Sequence, residues 1–196
     1  MRVILIDNGH GENTQCNCSP DKRLKEWSWT RSIAKAVKER LCALGYDARL
    51  VTPEYMYVSL SERCRRINTI CKQFGTQNCL SVSIHANAAG SDGNWHNASG
   101  WSVYVSTNAS MNSKRLAKLL YNEAEKRNLK GNRSVPVERY WVKNLAMCRD
   151  TNCPAVLTEN LFMDNIGDCN LMLSQKGREA IVDLHVQGII NYINTK

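Results

Sequence analysis

Two histidines follow short apolar runs that are typical of buried strands. His10 lies between two glycines soon after the run Val3 to Ile6, and His85 directly follows the run Cys79 to Ile84. Glycine allows the backbone to approach a ligand closely, and open α/β sheets bind ligands at the carboxyl ends of their strands. An ordinary turn between a strand and a helix can also hold a histidine, so either imidazole alone is weak evidence for a site.

Glu26 lies seven residues before Ile33 and shares a helical stripe with Ile33 and Val37. The stripe predicts that this carboxylate lies on the helix face that packs on the sheet, where an unpaired charge is costly. The alternative is a solvated glutamate of the first helical turn, which the helix dipole favours. In a right-handed βαβ unit the helix begins at the carboxyl edge of the preceding strand, so we expect Glu26 to lie close to His10.

A second glutamate, Glu159, ends the apolar run that follows Pro154. Two histidines and two glutamates are therefore predicted at the carboxyl edge of one sheet. Two imidazoles and one carboxylate form a ligand set that suits Zn²⁺ with one open position, and a second carboxylate nearby can act as a base. The four residues together predict a zinc hydrolase site.

The elements that position these residues alternate between short apolar runs and amphipathic stretches, which predicts an α/β fold with a largely parallel sheet. The predicted strands are Val3 to Ile6, Asp47 to Thr52, Cys79 to Ile84, Trp101 to Val105, a short Leu145 to Cys148, and Ala155 to Glu159. The predicted helices run from just after Asp21 to Gly45, from Ser59 to Gly75, around Leu116 to Ala124, and once or twice near the end of the chain. We expect a mostly parallel twisted sheet of about six strands with helices on both faces.

These motifs resemble those of a known enzyme family, the zinc-dependent N-acetylmuramoyl-L-alanine amidases of the type-3 class. The resemblance rests on Asp7-Asn8-Gly9-His10-Gly11, on Glu26 in its helix, on Ser83-Ile84-His85-Ala86-Asn87, and on Glu159 within Val156 to Asn165. It implies that His10, Glu26 and His85 bind one Zn²⁺ and that Glu159 is the catalytic glutamate. The implied reaction is hydrolysis of the amide between the lactyl group of N-acetylmuramic acid and L-alanine in peptidoglycan.

The resemblance extends from residue 3 to about residue 193 of 196. We therefore expect residues 1–196 to form a single catalytic amidase domain with no separate cell-wall-binding domain. Asn8 and Glu12 depart from the family pattern, which has a proline and a second glycine there. The loop 86–100 and the basic segment 126–149 align with no family feature, and either can line the groove.

The chain is basic, with 26 Lys and Arg against 18 Asp and Glu and a net charge of +8. Such a surface attracts nucleic acid, anionic lipid and anionic wall polymer. With the zinc site, we expect peptidoglycan as the substrate, no nucleic acid, no membrane insertion, and a monomer. Two alternatives stay open: a non-catalytic basic module of this fold that binds wall polymer or nucleic acid, and a related zinc peptidase.

The nine cysteines are an odd number, and several occupy apolar positions. We expect reduced and mostly buried thiols. The pair Cys16 and Cys18 has no matching second pair for a structural zinc, which leaves a loop disulfide or surface thiols. Because Met1 and Arg2 lead directly into a strand, we expect synthesis in the cytoplasm without a signal peptide and action on the wall after release by a holin, lysis or non-standard export.

Two further histidines are interpreted as structural or solvated. His96 lies among polar residues of the loop 86–100 and is expected in solvent, and His185 lies along a helix edge.

Overall fold

A six-stranded, mostly parallel sheet forms the centre of the computed structural model, which describes residues 2–14 and 17–195. The strands are β1 (Val3–Asn8), β2 (Asp47–Leu50), β3 (Cys79–Asn87), β4 (Ser102–Val105), β5 (Trp141–Val142) and β6 (Ala155–Phe162). Their order across the sheet is β2-β1-β3-β6-β4-β5. The first four strands in this order are mutually parallel, and β4 runs antiparallel to β6.

Helices cover both faces of the sheet, which confirms the predicted fold class. They are α1 (Glu26–Ala43), α2 (Leu60–Phe74), α3 (Met111–Lys126), α4 (Ala146–Arg149), α5 (Ile166–Leu173) and α6 (Gln175–Asn194). Because side chains alternate along a strand, Ile4 and Ile6 join a large core with α1, α3 and α6, whereas Val3 and Leu5 join a smaller core with α2 and α4.

Helix α1 begins later than the sequence pattern predicts, at Glu26 rather than just after Asp21. Asp21 caps no helix; its carboxylate accepts hydrogen bonds from the Ser19 hydroxyl at 2.7 Å and from the Arg23 backbone N–H at 3.1 Å. This local turn precedes an antiparallel bridge between Cys18 and Lys25. Glu26 is consequently the first helical residue.

The predicted short strand Leu145 to Cys148 is wrong, because this segment contains the helix α4. Met147 packs against α2, with its sulfur 3.9 Å from that of Cys64, and the Cys148 thiol lies 3.8 Å from the Tyr104 carbonyl oxygen. A four-residue apolar run fits either a strand or one helical turn. The short strand in this part of the chain is β5.

The prediction placed His85 just after a strand and Glu159 at the end of one, but both residues lie inside strands. β3 continues to Asn87 and β6 continues to Phe162. The pairing of the two strands shifts register between His85 and Asn87, and Leu161 has a φ of 68°. The His85 and Glu159 side chains therefore project from paired strands of the sheet rather than from loops.

Six of the eight described cysteines are buried, in agreement with the prediction of mostly buried thiols, and none of the eight is bonded to another described cysteine. Cys16 of the Cys16 and Cys18 pair lies outside the described residues. Among the described helices, none combines the length and the apolar character that crossing a bilayer requires.

Candidate metal centre

His10, Glu26 and His85 meet at the carboxyl edge of the sheet. One ligand atom from each lies within 4.8 Å of the other two. His10 Nε2 is 3.2 Å from Glu26 Oε2, and His85 Nδ1 is 3.3 Å from Glu26 Oε1. The structure thus brings together three of the four predicted site residues, and Glu26 lies beside His10 as the helix geometry predicts.

The loop after β1 positions His10 between two glycines that have no room for side chains. A Cβ on Gly9 would come 2.5 Å from the His85 ring, and a Cβ on Gly11 would overlap the backbone of Tyr57. His10 itself adopts a φ of 62°, in the left-handed region that non-glycine residues rarely enter. These contacts fix the imidazole against His85.

Glu26 is 2% exposed and fully hydrogen-bonded. Oε1 accepts from the Ala86 backbone N–H at 3.0 Å, and Oε2 accepts from the Asn17 side-chain amide at 2.9 Å. Burial would raise the pKa of Glu26, but hydrogen bonds with His10 and His85 outweigh burial and lower the pKa to about 2. The carboxylate is therefore ionised at neutral pH.

His85 responds to the same carboxylate. Burial would lower its pKa, yet the hydrogen bond to Glu26 and the negative charges around it raise the pKa above its usual value. The Asn160 side-chain amide donates to the His85 carbonyl oxygen at 2.9 Å and holds this part of β3. The cluster therefore attracts positive charge, and a proton and a metal cation compete for the same nitrogen lone pair.

The three residues fit a zinc ion. Two imidazoles and one carboxylate form a common catalytic ligand set, and two atoms that bind one tetrahedral zinc at 2.0–2.1 Å are about 3.3 Å apart. The histidine nitrogens lie 3.2 and 3.3 Å from the two different oxygens of Glu26, and one ligand atom from each residue lies within 4.8 Å of the other two, which is close enough for one ion to contact all three.

Glu159 is the register partner of His85 in the parallel pair of β3 and β6. Its Oε2 is removed from solvent and has no hydrogen-bond partner in the described part of the chain. Burial, with a smaller contribution from the Glu26 charge, raises the pKa of Glu159 to about 7, although His85 opposes the shift. A carboxyl group with this pKa can accept and return a proton near neutral pH.

A largely apolar cavity of about 400 Å³ opens beside the two histidines. Besides His10 and His85, it is lined by residues of α2, α4 and the segments just before them, by Thr14 of the loop after β1 and by Leu157 of β6; the residues of the helices and the segments before them are Tyr57, Leu60, Arg63, Leu145, Ala146 and Met147. Helix α4, which the sequence pattern wrongly predicts as a strand, thus forms one wall of the candidate site.

Sequence reasoning missed Arg63, which is 2% exposed. Its guanidinium donates to the Asp7 carboxylate at 2.9 Å and to the His10 carbonyl oxygen at 3.1 Å. Arg63 lies three residues after Leu60 and four before Ile67, on the apolar stripe of α2. A charged residue on a packing stripe is the signal that identified Glu26, and it would have identified Arg63 as well.

The remaining histidines lie away from this cluster. His185 is fully buried, with Nδ1 donating to the Ile181 carbonyl oxygen at 2.7 Å and Nε2 3.0 Å from the Thr158 hydroxyl. His96 is half-buried rather than fully solvated, and its Nε2 lies 2.9 Å from the Asp92 carboxylate. Neither His96 nor His185 belongs to the cluster of His10, Glu26 and His85.

Several known proteins are similar to this chain in sequence. A family model described as N-acetylmuramoyl-L-alanine amidase matches residues 4–191. The endolysin of Bacillus phage SPP1 is 27% identical over 205 aligned residues, which cover 100% of this chain and 67% of that protein. The probable cell wall amidase LytH of Staphylococcus aureus is 28% identical over 194 residues, which cover 98% of this chain and 59% of LytH. The chain thus spans about three fifths to two thirds of the length of these relatives.

Solved structures share the fold over the whole chain. An N-acetylmuramoyl-L-alanine amidase from Clostridium difficile 630 superimposes with a TM-score of 0.82 at 25% identity, covering 100% of this chain and 98% of that chain. Ami1 of Mycobacterium smegmatis superimposes with a TM-score of 0.84 at 19% identity, over 100% of this chain and 98% of Ami1. Since the family model accounts for nearly every element from β1 to α6, the chain belongs to the N-acetylmuramoyl-L-alanine amidase family.

Proposed function

We propose that this chain hydrolyses the amide between the lactyl group of N-acetylmuramic acid and L-alanine in peptidoglycan. His10, Glu26 and His85 would hold one Zn²⁺, and Glu159 would handle the proton. The observation that carries the proposal is the convergence of the three ligand atoms within 4.8 Å, with Glu159 paired to His85 on the adjacent strand. The family match over residues 4–191 supports the same reaction.

Each residue has a distinct task in this proposal. A zinc ion bound by the three ligands supplies Lewis acidity, which polarises the scissile carbonyl and acidifies water. Glu159 accepts a proton from the attacking water and delivers it to the alanine nitrogen as the amide bond breaks, so that the amine leaves in neutral form. The buried position of Glu159 keeps its carboxylate basic enough for the first transfer. Leu157 and Met147 line the cavity beside the two histidines with apolar side chains.

The first test combines metal analysis with mass spectrometry of digested peptidoglycan. The purified protein should contain one zinc per chain and should release peptides with free L-alanine amino termini. Glu159→Gln should keep zinc and lose activity by about 10²–10⁴-fold, the usual contribution of a general acid–base group. His85→Ala should lose both zinc and activity.

Two matched variants act as controls. Glu39→Gln changes an exposed glutamate of α1 that is 58% exposed, and His96→Ala changes a histidine outside the cluster. Both should keep zinc and activity. A protein without zinc, or a Glu159→Gln variant as active as wild type, would overturn the assignment. Cleavage at other stem-peptide bonds would instead indicate a zinc peptidase, and salt-sensitive binding without cleavage would indicate a binding module.

The wall is the proposed place of action, and the net charge of +8 supports attraction to its anionic polymers. A single catalytic domain, a monomeric state and release from the cytoplasm before action stay predictions from the sequence.

A further inference from the structure

The basic segment 126–149 places Arg133 on a platform of neutral groups. Nη1 of Arg133 donates to the Ser102 hydroxyl at 3.0 Å, and Nη1 and Nη2 each lie 3.4 Å from the Tyr104 hydroxyl. The guanidinium carbon lies over the rings of Trp141 and Phe162, at 4.8 and 5.5 Å from their centroids. Aromatic faces and hydroxyls hold a guanidinium in place without neutralising its charge.

Arg133 is connected to the candidate site through the sheet. Ser102 is the antiparallel partner of Glu159, and His85 is its parallel partner on the other side. Residues directly opposite each other on neighbouring strands project on the same face. His85, Glu159 and Ser102 therefore form one row across three strands, and Arg133 lies at the end of that row.

Arg133 forms no ion pair in the described ranges 2–14 and 17–195, although its charge and that of Lys143 lower the pKa of the Glu159 carboxyl, which burial raises. Arg63, Arg127 and Arg139, in contrast, each contact a carboxylate. Arg133 is half-buried, and its fixed position reduces the entropy that it would lose on binding. A planar, unpaired guanidinium of this kind matches a carboxylate, which it can bind through two parallel hydrogen bonds.

The proposed substrate carries such a group on only one side of the scissile bond. The lactyl carboxyl of the muramic acid is consumed in the amide, so the sugar side is neutral there. The residue after L-alanine is a glutamate that continues the chain through its side-chain carboxyl, which leaves its α-carboxyl free or amidated. In an extended peptide this group lies about 7 Å from the scissile nitrogen. Two strand spacings, from β3 to β4, are about 10 Å, which is close to the reach of about 7 Å plus one hydrogen bond of about 3 Å to the guanidinium.

We propose that Arg133 binds the free α-carboxylate of the second stem-peptide residue and makes the enzyme selective for the non-amidated stem. This inference rests on the proposed function and adds a specificity residue to it. The neighbours Ser102 and Tyr104 orient the guanidinium, which lies over the ring of Trp141.

The test uses two soluble substrates that differ only in this group: N-acetylmuramoyl-L-alanyl-glutamate and the same compound with the α-carboxyl amidated. Wild-type zinc enzyme should have a KM about tenfold to hundredfold lower for the acid, the range expected for a charge-assisted hydrogen bond. Arg133→Met should raise the KM for the acid to that for the amide, and any change in kcat that acts through the Glu159 carboxyl should be equal for the two substrates. Arg133→Lys should restore part of the preference.

Lys130→Met is the matched control, because it removes one positive charge from an exposed residue of the same segment. It should keep the wild-type preference. Equal KM values of the wild-type enzyme for acid and amide, or an equal rise of both KM values in Arg133→Met, would overturn the proposal. If wild type cleaved neither substrate, the proposed function would fail separately, and calorimetric binding of the two compounds to wild type and Arg133→Met would still decide the carboxylate assignment.

Discussion

Each candidate zinc ligand is fixed by contacts outside the ligand set. Arg63 holds the carbonyl oxygen of His10, and Asn160 holds that of His85. Glu26 accepts a backbone N–H bond in addition to its histidine contacts. Hydrogen bonds of this kind orient the residues that bind a metal. Their loss commonly lowers metal affinity by about 10–100-fold.

Gly9→Ala tests this arrangement at the scale of one methyl group. The added Cβ would lie 2.5 Å from the His85 ring, so the imidazole must move out of its position. We expect zinc affinity to fall by at least about tenfold, measured by competition with a chelating dye. Gly167→Ala is the control, because its Cβ would make only an ordinary contact at 3.4 Å from Asn165. Unchanged affinity in Gly9→Ala would contradict the steric argument.

Residues on regular elements could be predicted from the sequence, and residues on irregular segments could not. Glu26 interrupts an apolar stripe of known period, and the start of its helix fixes its place beside His10. Asn17 and Arg133 lie in segments without periodicity, so no pattern places them near the site. Their contacts depend on how the chain folds back, which only tertiary packing determines.

At the scale of elements, the ion pair of Arg63 and Asp7 joins α2 to β1. The two side chains are 2% and 0% exposed, and the Ser83 hydroxyl also donates to Asp7 at 2.6 Å. Removing one partner of a buried pair leaves an uncompensated charge, whereas replacing both is far less costly.

Arg63→Met should therefore lower the free energy of unfolding by about 3–5 kcal/mol, measured by urea denaturation. The double variant Asp7→Asn with Arg63→Met should recover a substantial part of that loss, because no buried charge remains. If the double variant were as unstable as the sum of its single variants, the pair would not act as a unit.

The errors in element assignment have a common physical cause. Leu145 to Cys148 is apolar at every position, and its contacts with Cys64 and Tyr104, rather than its local pattern, select a helical turn. The sequence also carries no signal for the reversed direction of β4, because strand direction follows from the connections. The carboxyl-edge location of the site was predictable since it requires only the parallel strands β1, β3 and β6.

At the scale of the whole molecule, the two faces of the sheet are covered unequally. The long helices α1, α3 and α6 bury one face, and α2 with the short α4 covers part of the other. The cavity, Glu159 and Ser102 lie on the less covered face, where a polymer can reach the sheet. Stability thus comes mainly from one face, and access to the candidate site comes from the other.

His185 on the well-covered face makes stability depend on pH. Burial lowers the pKa of His185 to about 4 from an ordinary value of about 6.5, so the folded protein keeps it neutral while the unfolded chain binds a proton. The stabilising contribution is complete above pH 6.5 and decreases as the pH falls towards 4, by about 3 kcal/mol in total. Urea denaturation at pH 7.5, 6 and 5, with equal metal loading, should show this loss in wild type. His185→Gln can keep both hydrogen bonds but has no group that titrates in this range. The difference in the free energy of unfolding between wild type and variant should therefore shrink as the pH falls. A difference that stays constant with pH would contradict the lowered pKa of His185.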